Sequence, residues 1–178
     1  MEQSVSAKTN IPDEVANRQY GALCYRINRH ENVVEYLLIS TRETGRWAIP
    51  KGWPMDNKQA HRVAEIEALQ EAGVKGKVCK RPLGEFAYTK LMADGERRPC
   101  VVQTHALKVH HLVKDFKERG QRRYAWVSCE EAAARVAEPD LKKLFFQIEE
   151  KAKSKLRRQV RQQIQLFANV VPSSRTID

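Results

Sequence analysis

The alternation of apolar and polar residues divides this 178-residue chain into strands, one central helix and one long terminal helix. Residues 21–27 and 33–39 are strand-like, joined by the polar hairpin loop 28–32. Trp47, Ala48 and Ile49 form a short extended piece, and Pro50 keeps Ile49 out of the helical region. The next segment is helical, with Asp56 as its cap and Gln59 answering three residues later as in a capping box. Gly73 suits the left-handed position past the helix end, which closes the helix at Ala72. Ala60, Ala64, Ala68 and Ala72 recur every four residues, a small-residue stripe that lets the helix lie close to a sheet. Two strand regions, 78–90 and 99–109, flank a turn at 93–96 marked by its Asp-Gly step. Residues 123–127 read as a strand. Ser128 caps a helix over 129–136, with Glu131 completing an S-x-x-E box. Residues 140–168 carry Leu141, Leu144, Phe145 and Ile148 at helical spacing, and the second half of that helix, 151–161, is strongly basic. Polar residues 1–13 and 169–178 read as flexible tails, leaving 14–168 as a single domain that includes the basic helix. Strands interleaved with a central and a terminal helix predict an α/β fold: an α/β/α sandwich around a mixed β-sheet.

Composition narrows the class. Hydrophobic residues at 42% and charged residues at 30% read as a soluble globular protein. No apolar run approaches the roughly eighteen residues that suggest a membrane span. Residues 1–6 have neither a basic start nor an apolar core, so no secretory signal is read and a cytoplasmic location is expected. Cys24, Cys79, Cys100 and Cys129 are widely spaced without a C-x-x-C pair, which predicts reduced structural thiols. His61, His105, His110 and His111 lack zinc-ligand spacing with cysteine, and no G-x-S-x-G elbow occurs. The formal net charge of +10 favours anionic partners, phosphorylated metabolites or nucleic acid alike, and argues against a cationic substrate. No mark of oligomeric state is legible.

The chemistry is concentrated in the central helix. Glu67 and Glu71 share one face, about 6 Å apart in rise. Like charges at that spacing destabilise an isolated helix by roughly 0.2–0.5 kcal/mol. A hard cation such as Mg²⁺ would offset the repulsion; the alternative is two solvated surface glutamates. The stretch from Gly52 to Val74 resembles the Nudix box, G-x5-E-x7-R-E-U-x-E-E-x-G-U, where U is a bulky aliphatic residue. Gly52, Glu67, Glu71, Gly73 and Val74 agree with it without a gap. Lys58, Ile66 and Gln70 stand in place of Glu, Arg and Glu, and Ala68 in place of a bulky aliphatic. The flanking segments 36–42, 46–52 and 121–127, with Glu130, Glu131 and Ala132, are similar to diphosphoinositol-polyphosphate and diadenosine-polyphosphate hydrolases. The resemblance covers residues 18–150.

The resemblance implies the Nudix fold and hydrolysis of a diphosphate linkage in a nucleoside or inositol polyphosphate. It implies a metal site of Glu67, Glu71 and the main-chain carbonyl of Lys51, holding Mg²⁺ or Mn²⁺. Glu67, Gln70 and Glu71 fall at catalytic positions. Ser40, Thr41 and Arg42 match a substrate-contacting segment, and Arg18, Arg98 and Arg122 lie near basic ligand contacts. Gln70 is the main departure, because an amide cannot accept a proton near neutral pH. Activity is expected to be reduced, or moved to Glu67 or to a downstream carboxylate such as Glu118. Ile66 is read as packing, Lys58 as solvated, and Trp47 and Trp126 as core aromatics. The alternative function is a catalytically weakened Nudix-fold module that binds an anionic ligand or nucleic acid. The basic run 151–158 accords with it, but reads more readily as the solvated face of a helix.

Overall fold

The computed structural model describes residues 17–28 and 33–170, without the side chains of residues 156 and 167–170. The first strand, β1 (Asn17–Asn28), pairs antiparallel with β2 (Val33–Ser40), matching Tyr25 with Tyr36 and Asn28 with Val33. β2 pairs in turn with the short β3 (Trp47–Ala48), while β4 (Lys51–Gly52) returns to β1 and places Gly52 opposite Tyr20. The central helix α1 (Ala60–Ala72) leads into β5 (Val74–Val78), then β6 (Gly84–Leu91) and the long β7 (Arg97–Leu112). β7 lies parallel to β1, and β5 and β6 pair antiparallel with it, so the sheet is mixed. β8 (Tyr124–Val127) pairs with β2, before α2 (Cys129–Arg135) and α3 (Pro139–Val170).

Period-two alternation builds two cores. Leu23, Tyr36, Leu38 and Val102 point to one face, where they meet Val136, Leu141, Phe145 and Ile148 from the α2–α3 side. Ala22, Cys24, Leu37, Ile39 and Leu107 point to the other, against Ala64, Ala68 and Ala72 of α1. The sheet is covered on both faces, which is why β2 reads as a nearly unbroken apolar run. This is the expected α/β/α sandwich. The alanine stripe and the Leu141–Ile148 stripe are the helical halves of the two cores.

Three local expectations change. Asp56 does not cap α1: the cap residue is Gln59, with no side-chain hydrogen bond. The chain first makes a tight turn in which the Lys58 N–H donates to the Met55 carbonyl at 3.1 Å and Asn57 adopts φ 58°, so Asp56 is spent in the turn. The single strand expected over 78–90 is two, because β5 and β6 pair with successive parts of β7 and the exposed Lys80-Arg81-Pro82 link bridges them. At α2 the Ser128 hydroxyl accepts from the Glu131 N–H at 3.2 Å, but the Glu131 carboxylate pairs with Arg135 instead of returning, so the capping box is half made. Gly73 ends α1 at φ 64°, and its N–H donates to the Leu69 carbonyl at 3.0 Å. The expected tail 1–13 and residues 14–16 lie outside the described residues. α3 runs to Val170, two residues into the expected tail 169–178, whose remainder is also outside, and the 28–32 loop is described only at Asn28. Among the described residues no helix is long and apolar enough to cross a membrane. Cys24, Cys100 and Cys129 are buried free thiols and Cys79 is exposed.

Candidate functional site

One cleft, of about 620 Å³, gathers residues from α1, β4, β6, the β2–β3 loop and the segment before β8. Its floor is α1. Glu67, Gln70 and Glu71 all line it, because positions three and four apart share a helix face. Gly52 is set so close to α1 that a Cβ there would run into the Glu67 carboxylate. Glycine at this position is therefore a clearance for a carboxylate, a role distinct from turn-making.

The two glutamates sit in different surroundings. Glu71 is held on both oxygens: Oε2 accepts from the Lys51 main-chain N–H at 2.9 Å, and Oε1 accepts from the Arg122 guanidinium. Burial raises its pKa, opposed by the charges of Arg122 and Lys51. Among the described residues nothing donates a hydrogen bond to the Glu67 carboxylate. Burial, then the charges of Glu71 and Glu118, push its pKa up to about 7. The Lys51 ammonium is pushed the other way, to about 8, by desolvation.

Arg122 organises this side of the cleft. Its Nε donates to Glu118 Oε2 at 2.7 Å, its Nη1 to the Ser40 carbonyl at 3.0 Å, and its Nη2 to Glu71. The side chains of Arg122, Glu71 and Glu118 are only 7%, 10% and 12% exposed, so this is a buried network. Glu118 also pairs with Arg42 at 3.6 Å, and its N–H donates to the Gln70 carbonyl at 3.0 Å. The Gln70 side-chain oxygen accepts from Lys117 at 3.4 Å.

The other sequence candidates separate by strand alternation. Thr41 and Arg42 line the cleft, the Thr41 hydroxyl sharing a hydrogen bond with Thr44 at 2.8 Å. Ser40 lies behind it, buried, its hydroxyl accepting from the Arg123 N–H at 2.9 Å. Arg18 and Arg98 do not line the cleft: Arg18 bonds Glu85 at 2.7 Å, and Arg98 bonds Glu96 at 2.8 Å. Their strand neighbours Gln19 and Arg97 line it instead, because successive side chains face opposite ways. Trp47 has the guanidiniums of both Arg123 and Arg135 over its ring, with centroid distances of 5.1 and 5.0 Å, Trp126 has Arg26 at 4.1 Å, and both pack beside the cores. Ile66 is half-buried and Lys58 exposed.

Sequence reasoning missed Trp53, Tyr88, Lys90, Arg97 and Lys117 as cleft residues. Lys90 and Arg97 flank the Asp94-Gly95 turn, and cations on both arms of a hairpin were the available signal. Lys117 lies in a stretch without periodicity and offered none.

The donor set suits a hard divalent cation. Glu71 and Glu118 raise the cost of ionising Glu67, Glu118 also raises that of Glu71, and Gly52 leaves Glu67 room. Among the described residues no three His, Cys, Asp or Glu side chains form a closed ligand cluster. Two carboxylates beside a main chain match the preference of Mg²⁺ for few protein ligands, several waters and substrate phosphate.

No protein-family model matches the chain. Nudix hydrolase 12, mitochondrial, of Arabidopsis thaliana is 32% identical over 104 residues, which cover 57% of this chain and 51% of that protein. Diphosphoinositol polyphosphate phosphohydrolase 3-alpha of Homo sapiens is 31% identical over 117 residues, covering 65% and 66%. The chain thus spans about half to two thirds of the length of these curated relatives. Among solved structures, the C. elegans Ap4A hydrolase binary complex superposes with a TM-score of 0.53 at 16% identity, covering 76% of this chain and 98% of that one. The E. coli dihydroneopterin triphosphate pyrophosphohydrolase superposes with a TM-score of 0.55 at 14% identity, covering 76% and 96%. At these identities the structural likeness establishes the fold.

Proposed function

We propose that this chain, a distant homologue within the Nudix hydrolase family and built on its fold, hydrolyses a diphosphate linkage in a nucleoside or inositol polyphosphate by attack of water on phosphorus. The observation that carries this reading is the placement of Glu71 on the Lys51 main-chain N–H and of Glu67 against Gly52, in a cleft where lysines and arginines outnumber glutamates. Glu67, Glu71 and the Lys51 carbonyl would hold Mg²⁺, with Mn²⁺ as a substitute. Such an ion, when bound, neutralises phosphate oxygens and acidifies water.

The chain's own residues do the rest. Arg42, Lys51, Lys90 and Lys117 bring positive charge to the phosphates, as transfer through a charge-rich transition state requires. The Lys51 ammonium, at about 8, stays mostly protonated at neutral pH. Gln70 orients through its amide but takes no proton. Glu118 lines the same cleft, its Oε2 held by Arg122, and is the downstream carboxylate that would orient water in place of Gln70 through Oε1. A positioned base is worth about 10²–10⁴-fold, so Gln70→Glu is expected to raise kcat by about tenfold or more. An unchanged kcat would move the base to Glu118, and Glu118→Gln would then remove turnover.

The test is a panel of nucleoside and inositol diphosphates incubated with Mg²⁺ or Mn²⁺, read by product chromatography. Product release is expected with metal, to vanish with a chelator and to return when metal is restored. A second reading, a Nudix-fold module that binds an anionic ligand or nucleic acid without turnover, has one observation in its favour: both Glu71 oxygens are already engaged. It predicts binding with steep salt dependence and no product from any compound in the panel.

A further inference from the structure

The three tryptophans of the chain have unlike surroundings. Trp47 and Trp126 are half-buried and stacked with arginines beside the cores, whereas Trp53 is 38% exposed at the mouth of the cleft. It follows directly on β4, whose Lys51 main chain anchors Glu71, so its backbone is fixed relative to the carboxylates. The Lys90 ammonium lies 5.6 Å from the Trp53 ring centroid. Leu91, 44% exposed, and Met55 line the same cleft. The cleft therefore joins an aromatic and apolar rim to a charged floor, and a large indole left half in water beside charges has no packing explanation.

We propose that Trp53 is the platform on which the cleft receives a planar nucleobase, so that the substrate is a nucleotide-based diphosphate and not an inositol pyrophosphate. The inference rests on the cleft being the diphosphate site. A saturated ring crowded with phosphates offers no π face to an indole, while every base does. Such a ring also needs many free cations. Here Arg46 and Arg122 are already paired, with Glu138 and Glu71 respectively, and Glu118 sits within 3.6 Å of Arg42, so part of the cleft's positive charge is offset by protein carboxylates. Lys90 fits the platform reading as well, since a cation beside the indole is placed to meet the phosphates of a nucleotide whose base stacks there.

The experiment measures dissociation constants of ADP, inorganic pyrophosphate and inositol hexakisphosphate by titration calorimetry in Mg²⁺, for the wild-type chain, Trp53→Ala and Trp53→Phe. ADP binding to Trp53→Ala is expected to weaken on the order of tenfold, pyrophosphate binding to stay within about twofold, and Trp53→Phe to recover most of the loss. Equal weakening of ADP and pyrophosphate, an unchanged ADP affinity, no measurable binding of ADP to the wild type, or tighter binding of inositol hexakisphosphate than ADP each overturns the proposal. These affinities need no turnover. If nothing is cleaved but ADP affinity still depends on Trp53, hydrolysis fails and the platform stands; if cleavage occurs and Trp53 matters for neither ligand, the platform alone fails.

Discussion

Replacing Arg122 with alanine is expected to lower the melting temperature by roughly 6–20 °C. The guanidinium is the shared partner of Glu71 and Glu118 and also ties down the Ser40 carbonyl, all with little solvent contact. Removing one member of a buried ion pair costs about 3–5 kcal/mol, because the remaining charge is left uncompensated. For a chain of this size each kcal/mol corresponds to about 2–4 °C. Two carboxylates are stranded here, beside a third at Glu67. Arg122→Lys should recover only part of the loss, since an ammonium cannot reproduce the three-way fork. Thermal melts of the three proteins check this, and a shift below about 2 °C for the alanine variant would remove Arg122 from the network's centre.

Glu67→Gln should act in opposite directions on stability and activity. The folded-state pKa of Glu67 is raised to about 7 from its usual 4.5, so the folded form favours the neutral carboxyl. The stability this group contributes is full below about 4.5 and is lost as pH rises through about 7. In a chelator at pH 8 the variant should therefore melt above the wild type, while at pH 4 the two should coincide. Adding Mn²⁺ should raise the wild-type melting temperature at pH 8 and leave that of the variant nearly unchanged. Turnover of the variant should fall by at least about 10²-fold, as expected when an ion that stabilises the transition state by several kcal/mol is lost. A variant that melts below the wild type in chelator at pH 8 would contradict the frustrated carboxylates on which the metal assignment rests.

What was legible in the sequence was local and periodic. The four-residue spacing of Ala64, Ala68 and Ala72 located the sheet-facing side of α1, and the same period put Glu67 and Glu71 on one face. Strand-like runs interleaved with a central and a terminal helix foretold the sandwich around a mixed sheet. Gly73 marked the helix end by its conformational preference alone. What was not legible depends on distant partners. Arg122 and Glu71 are 51 residues apart, and nothing near either announces that the arginine serves a carboxylate before any phosphate. Arg18 and Arg98 were each one residue from a cleft position, a distinction that only the pleat settles. Asp56 looked like a cap because its residue type and spacing fit, but the turn through Asn57 used it first. Trp53 was passed over because an isolated tryptophan shows no period, and only the assembled cleft reveals that it stays at the surface.

The central claim is that Glu67 and Glu71 together bind a divalent ion. Its most direct test is the anomalous diffraction of crystals soaked in Mn²⁺. The account predicts one strong anomalous peak within bonding distance of carboxylate oxygens from both Glu67 and Glu71, next to the Lys51 carbonyl. A map with no peak there, or with manganese bound only elsewhere on the molecule, would contradict it.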